Sequence, residues 1–186
     1  MDSRSATFPI SQRWLRPAAI GISVVLVVVA AVLATQNGGG DGETLDTTPH
    51  FAAAADLIEL EDSLGHGVYW AGERPPAQLE LTEEASGSIY LRYLPPGAEA
   101  GDPRPQFLTV GTYPFTNAAD GLRLTASKAG AKLEDAPGGG VLYVNPSSET
   151  SVYLAYPGSD LQIEVYDPTP GRALELIRSG AIGPVG

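Results

Sequence analysis

An uninterrupted apolar run near the N-terminus constrains this chain more than any other feature. From Pro17 to Ala34 the sequence has 18 residues without a charged side chain. A helix needs about 20 apolar residues to cross the hydrocarbon core of a bilayer. The run therefore predicts a transmembrane helix over residues 17–35, and Trp14 just before it is typical of the headgroup region.

The charges on either side of this run predict its orientation. Three arginines lie within residues 1–16, whereas the first basic residue after the run is Arg74. Basic residues stay on the cytoplasmic side, so residues 1–16 are predicted to be a cytoplasmic tail. The expected location is the cell membrane, with the remaining chain outside the cytoplasm. A cleaved signal peptide is the alternative, because Val32-Leu33-Ala34 fits a small-residue cleavage site.

Charge and cysteine content exclude several classes of function. The formal net charge is -11, and the residues after position 34 include 21 acidic and 8 basic side chains. Such a domain repels phosphate backbones, so we expect no nucleic-acid partner. The chain has no cysteine, which excludes disulfides, a thiol nucleophile and zinc–thiolate sites. A domain of this kind depends on a hydrophobic core for its stability.

The chain after the apolar run divides into a linker and one domain. Residues 36–47 contain three consecutive glycines and are predicted to be flexible. Helix start and stop signals predict helices from Thr48-Pro49 to Gly65, over about 116–130, and over 169–180. Short runs rich in β-branched and aromatic residues predict strands at 68–71, 78–82, 88–94, 106–113, 141–144, 151–156 and 161–166.

These elements predict an α+β fold for residues 48–186, with mainly antiparallel strands and about three helices on one face. An internal αββββ duplication is also predicted, because 51–63 resembles 115–127 at a shift of 64. The repeats would be 48–113 and 114–168, followed by the C-terminal helix 169–180. The alternative is chance similarity between alanine-rich helices.

Alternation along the strands sorts the side chains into two sheet faces. One face carries aliphatic residues and is expected to pack on the helices. The other carries the candidate binding residues Tyr90, Arg92, Phe107 and Tyr153. Tyrosine and arginine on an open sheet can stack on a glycan or bind a protein surface. The alternative is that these are ordinary strand residues, covered by another part of the fold.

Catalytic patterns are weak in this sequence. His50 and His66 are the two histidines, and no G-x-S-x-G motif accompanies them. We expect no metal site and no cofactor. The sequence therefore favours a membrane-tethered, extracytoplasmic binding or scaffolding domain that contacts a cell-wall glycan or an envelope protein. A cell-envelope hydrolase that uses two carboxylates is the alternative, because acidic residues are numerous.

Three motifs carry a resemblance to a known group of proteins. They are LGHGVYWAG at 64–72, IYLRYLPPG at 89–97 and LTVGTYP at 108–114. With them, most of residues 56–180 resembles a group of uncharacterised single-pass membrane-anchored proteins of actinobacteria. The resemblance implies the same membrane topology, and it implies no activity, ligand or catalytic residue.

Overall fold

The computed structural model describes residues 47–129, 131–145 and 147–186, which belong to one compact unit. The predicted cytoplasmic tail, the transmembrane helix at 17–35 and the linker up to residue 46 lie outside the described residues. Within the described ranges, no helix has the length and apolar character needed to cross a bilayer. The tail, the transmembrane helix and the linker therefore stay predictions.

Eight strands of the described chain form one sheet in the order β1-β3-β4-β5-β9-β8-β7-β6, and all neighbours are antiparallel. The strands are β1 (His50–Phe51), β2 (Tyr69–Trp70), β3 (Gln78–Glu83), β4 (Ile89–Leu94), β5 (Thr109–Pro114), β6 (Leu133–Ala136), β7 (Gly140–Val144), β8 (Ser151–Ala155), β9 (Leu161–Tyr166) and β10 (Gly183–Pro184). The helices are α1 (Ala54–Leu64), α2 (Ala118–Ala129) and α3 (Arg172–Arg178). The predicted α+β fold with mainly antiparallel strands is confirmed.

The register of the central strands gives the sheet one aliphatic face. Leu91 on β4 lies opposite Val110 on β5, Val110 opposite Val165 on β9, and Val165 opposite Val152 on β8. All four are fully buried. We call this side the valine face. Because side chains alternate along a strand, the register also defines the opposite side.

The opposite side is the tyrosine face. Across the same four strands, Tyr90 lies opposite Gly111, Gly111 opposite Glu164, and Glu164 opposite Tyr153. The predicted placement of Tyr90 and Tyr153 on one face, away from the aliphatic residues, is therefore confirmed.

The helices lie on both faces, so the prediction of three helices on one face is wrong. α1 and α3 pack on the valine face, where Leu57 joins the cluster of Leu81, Ile89 and Leu91, and Leu176 joins the cluster of Val152 and Val165. α2 packs on the tyrosine face instead. Its contact residues are Ala118, Ala119, Leu122 and Ala126, against Val141, Tyr143, Tyr153 and Ala155. The physical reason is that β7 and β8 are apolar on both faces, and each face requires a cover.

The first helix begins later than the sequence predicts. The Thr48-Pro49 signal is followed by strand β1, and α1 begins at Ala54. The Asp56 carboxylate accepts a hydrogen bond from the Ala53 backbone N–H at 2.7 Å, so a first-turn acid stabilises this end. Pairing of β1 with β3 overrides the local capping signal.

The duplication also stays a prediction, and the packing of the helices argues against it. Under the shift of 64, Leu60 of α1 corresponds to Leu124 of α2. Leu60 packs against the core on the valine face, whereas Leu124 is 57% exposed on the other side of the sheet. Equivalent sequence positions therefore have different environments.

The C-terminal segment closes one end of the domain. β10 pairs with β2, with Gly183 opposite Trp70, and the Val185 N–H donates to the Val68 carbonyl oxygen at 3.0 Å. This pairing holds the Tyr69–Trp70 strand against the end of the valine face.

Candidate functional site

The four residues that the sequence singled out do not form one open patch. Tyr153 is only 5% exposed, because α2 covers it. Phe107 is also buried, whereas Tyr90 and Arg92 are half-buried. The structure places the four on the tyrosine face or against it, in two separate groups.

The first group is built around a buried ion pair. Glu80 of β3 is fully buried, and its Oε1 accepts a hydrogen bond from Arg92 Nη1 at 2.9 Å. Its other oxygen accepts from the Gly101 N–H at 2.5 Å. Arg92 Nη2 donates to the carbonyl oxygen of Asp102 at 2.6 Å. Arg92 thereby fixes the loop between β4 and β5 over the sheet, which is a structural role.

Phe107 packs between two guanidinium groups. The Cζ atoms of Arg92 and Arg104 lie 5.1 and 5.6 Å from the centre of its ring. Arg104 also pairs with Asp102, and these hydrogen bonds lower the pKa of the Asp102 carboxyl to about 2. The charges of Arg92, Arg104 and Asp102 are thus paired within the domain.

The second group is a set of tyrosines around one carboxylate. Tyr113 donates to Glu164 Oε2 at 2.9 Å, and Tyr153 hydrogen-bonds the same side chain. The Tyr90 ring meets the Tyr113 ring edge to face, with the ring centres 5.6 Å apart. Burial, and then the Glu164 charge, raise the pKa of Tyr113 and of Tyr153. These phenols therefore stay neutral donors at physiological pH.

Gly111 makes this arrangement fit. A Cβ atom at Gly111 would lie 2.5 Å from the Tyr113 hydroxyl oxygen. Because the glycine has no side chain, the Tyr113 ring leans back across β5 and reaches Glu164 on β9.

A cleft lies at a different place, at the β1–β3 edge of the valine face. Its volume is about 350 Å³, near the lower end of the roughly 300–1,000 Å³ typical of small-ligand sites. The start of α1, strand β2 and the β2–β3 loop form its walls. Its lining includes Phe51, Trp70, Glu73, Arg74, Leu79 and Tyr93.

The backbone of Ala71 positions two of the polar side chains of the cleft, Tyr93 and Arg74. The Ala71 N–H donates to the Tyr93 hydroxyl oxygen at 2.7 Å, and Arg74 Nε donates to the Ala71 carbonyl oxygen at 3.1 Å. The guanidinium carbon of Arg74 lies 6.0 Å from the centre of the Tyr93 ring. Burial raises the pKa of Tyr93 to about 12, against smaller lowering effects of the Ala71 hydrogen bond and the Arg74 charge.

The hydrolase alternative finds no specific support in this cleft. It requires two facing carboxylates, and Glu73 is the one acid that lines the cleft. In the part of the chain that the structure describes, no three His, Asp or Glu side chains are close enough together to hold a metal ion.

Comparison of the chain with protein-family models, with curated proteins and with solved structures finds no match. The resemblance to membrane-anchored proteins of actinobacteria therefore stays a prediction, and the site must be interpreted from its own geometry.

Sequence reasoning missed the cleft residues Phe51, Trp70, Arg74 and Tyr93 as a group. Trp70 lies in one of the motifs noted above, and Tyr93 alternates with the aliphatic residues of β4. A surface-prone arginine four residues after a tryptophan is a weak signal. These residues lie around one cleft because β1 and the β2–β3 loop meet at one edge of the sheet. A pattern along the sequence does not show that meeting.

Proposed function

We propose that residues 48–186 form an extracytoplasmic binding domain, which residues 17–35 tether to the cell membrane. The domain takes a small ligand, or the end of a cell-wall polymer, in the cleft beside Trp70. The observation that carries this proposal is a cleft in which a braced arginine lies among aromatic side chains. Concave apolar sites with a few oriented polar groups are the usual form of a ligand site.

The cleft replaces the tyrosine face as the binding surface. On the tyrosine face, α2 and the β4–β5 loop cover much of the area, and the polar groups of Arg92 and Glu164 already have partners within the domain. At the cleft, Arg74 Nη1 and Nη2 have no hydrogen-bond partner among the described residues, and Trp70 and Tyr93 supply aromatic side chains. Oriented polar groups beside aromatic side chains in a concavity are typical of a binding site.

The experiment is a binding measurement with cell-wall material. The full chain, held in lipid nanodiscs, is mixed with the soluble fragments from a muramidase digest of purified bacterial cell wall. Saturation-transfer NMR detects fragments that contact the protein. We expect binding to the native chain, and at least tenfold weaker binding to Trp70→Ala and to Arg74→Gln, because the first removes a ring and the second a charged donor, each worth about 1–2 kcal/mol.

Leu124→Ala is the matched control, since it removes an exposed apolar side chain on α2, away from the cleft. Its binding should equal that of the native chain. Arg74 forms no ion pair with any described residue, so Arg74→Gln tests the cleft even where Trp70→Ala lowers stability. Absence of binding to the native chain, or binding that survives both cleft substitutions, would show the proposal to be wrong.

A further inference from the structure

Arg74 differs from the other arginines of the described chain. Five of the six described arginines form an ion pair with a carboxylate, namely Arg92, Arg104, Arg123, Arg172 and Arg178. Arg74 forms none with any described residue, although residues 47–186 contain 18 acidic and 8 basic side chains. An arginine that stays unpaired in so acidic a domain is available to an anion from outside.

The hydrogen bonds of Arg74 leave one side of the guanidinium open. Nε donates to the Ala71 carbonyl oxygen, and the ring of Tyr93 lies beside the Cζ atom. Nη1 and Nη2 have no hydrogen-bond partner among the described residues. Two parallel N–H donors of this kind match the two oxygens of a carboxylate.

A second donor lies nearby. The Tyr93 hydroxyl oxygen accepts the hydrogen bond from the Ala71 N–H, so its own proton is not used in that contact. Tyr93 lines the same cleft as Arg74. An oxygen of a bound anion can therefore accept from both side chains, and the Ala71 peptide holds both in place before binding.

The charge of the domain decides between classes of anion. Residues 47–186 carry a formal net charge of -10, and Glu73 lines the cleft beside Arg74. The negative potential of the domain would repel a doubly charged phosphate monoester, and the single positive charge of Arg74 would offset only part of this repulsion. A single carboxylate carries half that charge and fits the planar donor pair.

The rest of the cleft fits a ring. Trp70 lines the cleft with an aromatic side chain, and Leu79 adds an aliphatic one. The apolar C–H face of a sugar ring packs against such aromatic faces, while its hydroxyl groups stay in water at an open cleft.

From these observations we infer that the cleft binds an acidic sugar, in which Arg74 and Tyr93 hold one carboxylate and Trp70 packs against the sugar ring. The inference rests on the proposed function, since it names the ligand class of the same cleft. It is specific enough to fail while that function stands.

The test compares two sugars that differ by a lactyl group, which carries a carboxylate. N-acetylmuramic acid is N-acetylglucosamine with this lactyl ether on O3, and the loss of its advantage in Arg74→Gln measures the part due to the carboxylate. In full chains carrying Trp14→Phe, the fluorescence of Trp70 reports binding. We expect N-acetylmuramic acid to bind at least tenfold more tightly than N-acetylglucosamine.

Three variants identify the residue responsible. Arg74→Gln should remove the preference for the acidic sugar, whereas Arg74→Lys keeps a positive charge and should retain part of it. Arg123→Gln removes an exposed arginine of α2 and should change nothing. Thermal unfolding of each variant verifies that the domain is folded.

Each remaining outcome contradicts the inference in a different way. If the two sugars bind equally well, the proposed carboxylate contact is wrong. If 4-methylbenzoate binds as tightly as N-acetylmuramic acid, the proposed preference for a sugar is wrong. If neither sugar binds but wall fragments do, the ligand class is wrong and the proposed function stands. If the wall fragments also fail to bind, both are wrong.

Discussion

At the residue scale, the arginines of this domain divide into structural and available ones. Arg92 is 21% exposed and is held by Glu80, which is 0% exposed, so its charge is committed to fixing the β4–β5 loop. Arg74 is braced by a backbone carbonyl and an aromatic ring, neither of which neutralises its charge. The same side chain therefore has different roles, set by whether a carboxylate lies within reach.

Removing Glu80 should strongly destabilise the domain. Glu80→Ala leaves Arg92 Nη1 and the Gly101 N–H without their acceptor and the Arg92 charge without its carboxylate, and we expect a loss of about 3 kcal/mol in the free energy of unfolding. Urea unfolding of the full chain in detergent measures this loss. Glu84→Ala, at an exposed acid, should cost less than about 0.5 kcal/mol. Equal costs for the two substitutions would contradict a structural role for the ion pair.

At the element scale, the position of α2 explains why the tyrosine face is largely closed. Short side chains, Ala118, Ala119 and Ala126, let this helix approach the sheet closely over Tyr143 and Tyr153. The β4–β5 loop covers the other end of the same face through Glu80 and Arg92. The sheet is thus covered on both sides, and the open concavity lies at its β1–β3 edge.

The two leucines of α2 should respond in opposite ways to truncation. Leu122 is 3% exposed against the tyrosine face, and Leu122→Ala should cost about 3 kcal/mol through lost contacts and a cavity. Leu124→Ala, at an exposed position, should cost less than about 0.5 kcal/mol. Thermal or urea unfolding compares them. A larger cost for Leu124 would mean that α2 packs as α1 does, as the duplication predicts.

At the scale of the whole molecule, the proposed function depends on the topology that the apolar run predicts. An acidic domain is repelled from an anionic lipid surface, so the proposed membrane location requires a tether rather than adsorption. The three arginines before the run and the acidic domain after it agree with an extracytoplasmic location.

We expect the run at 17–35 to stay in the mature protein. Mass spectrometry of the chain purified from bacterial membranes should give an intact N-terminus, and protease added to whole cells should degrade the domain. Ala34→Leu removes the small residue that cleavage would require and should change neither result. A mature N-terminus at Thr35, abolished by Ala34→Leu, would establish a cleaved signal peptide instead.

Local patterns were sufficient for much of the secondary structure. Alternation in Ile89–Leu94 and Leu161–Tyr166 predicted two central strands at close to their observed bounds. The strands β1, β6 and β10 were missed. Two of these have two residues each, too few for a periodic pattern, and their pairing partners are distant in sequence.

The sequence by itself determined the features that depend on neighbouring residues. These are the apolar run, the absence of cysteine, the α+β composition and the side of each central strand that Tyr90 and Tyr153 occupy. They follow from hydrophobicity and side-chain alternation, which are properties of short segments. The tertiary structure decided which face each helix covers, which arginine remains unpaired and where a cleft opens. These depend on contacts between residues far apart in the chain, such as Tyr93 with Ala71 and Glu80 with Gly101, and no local pattern encodes them.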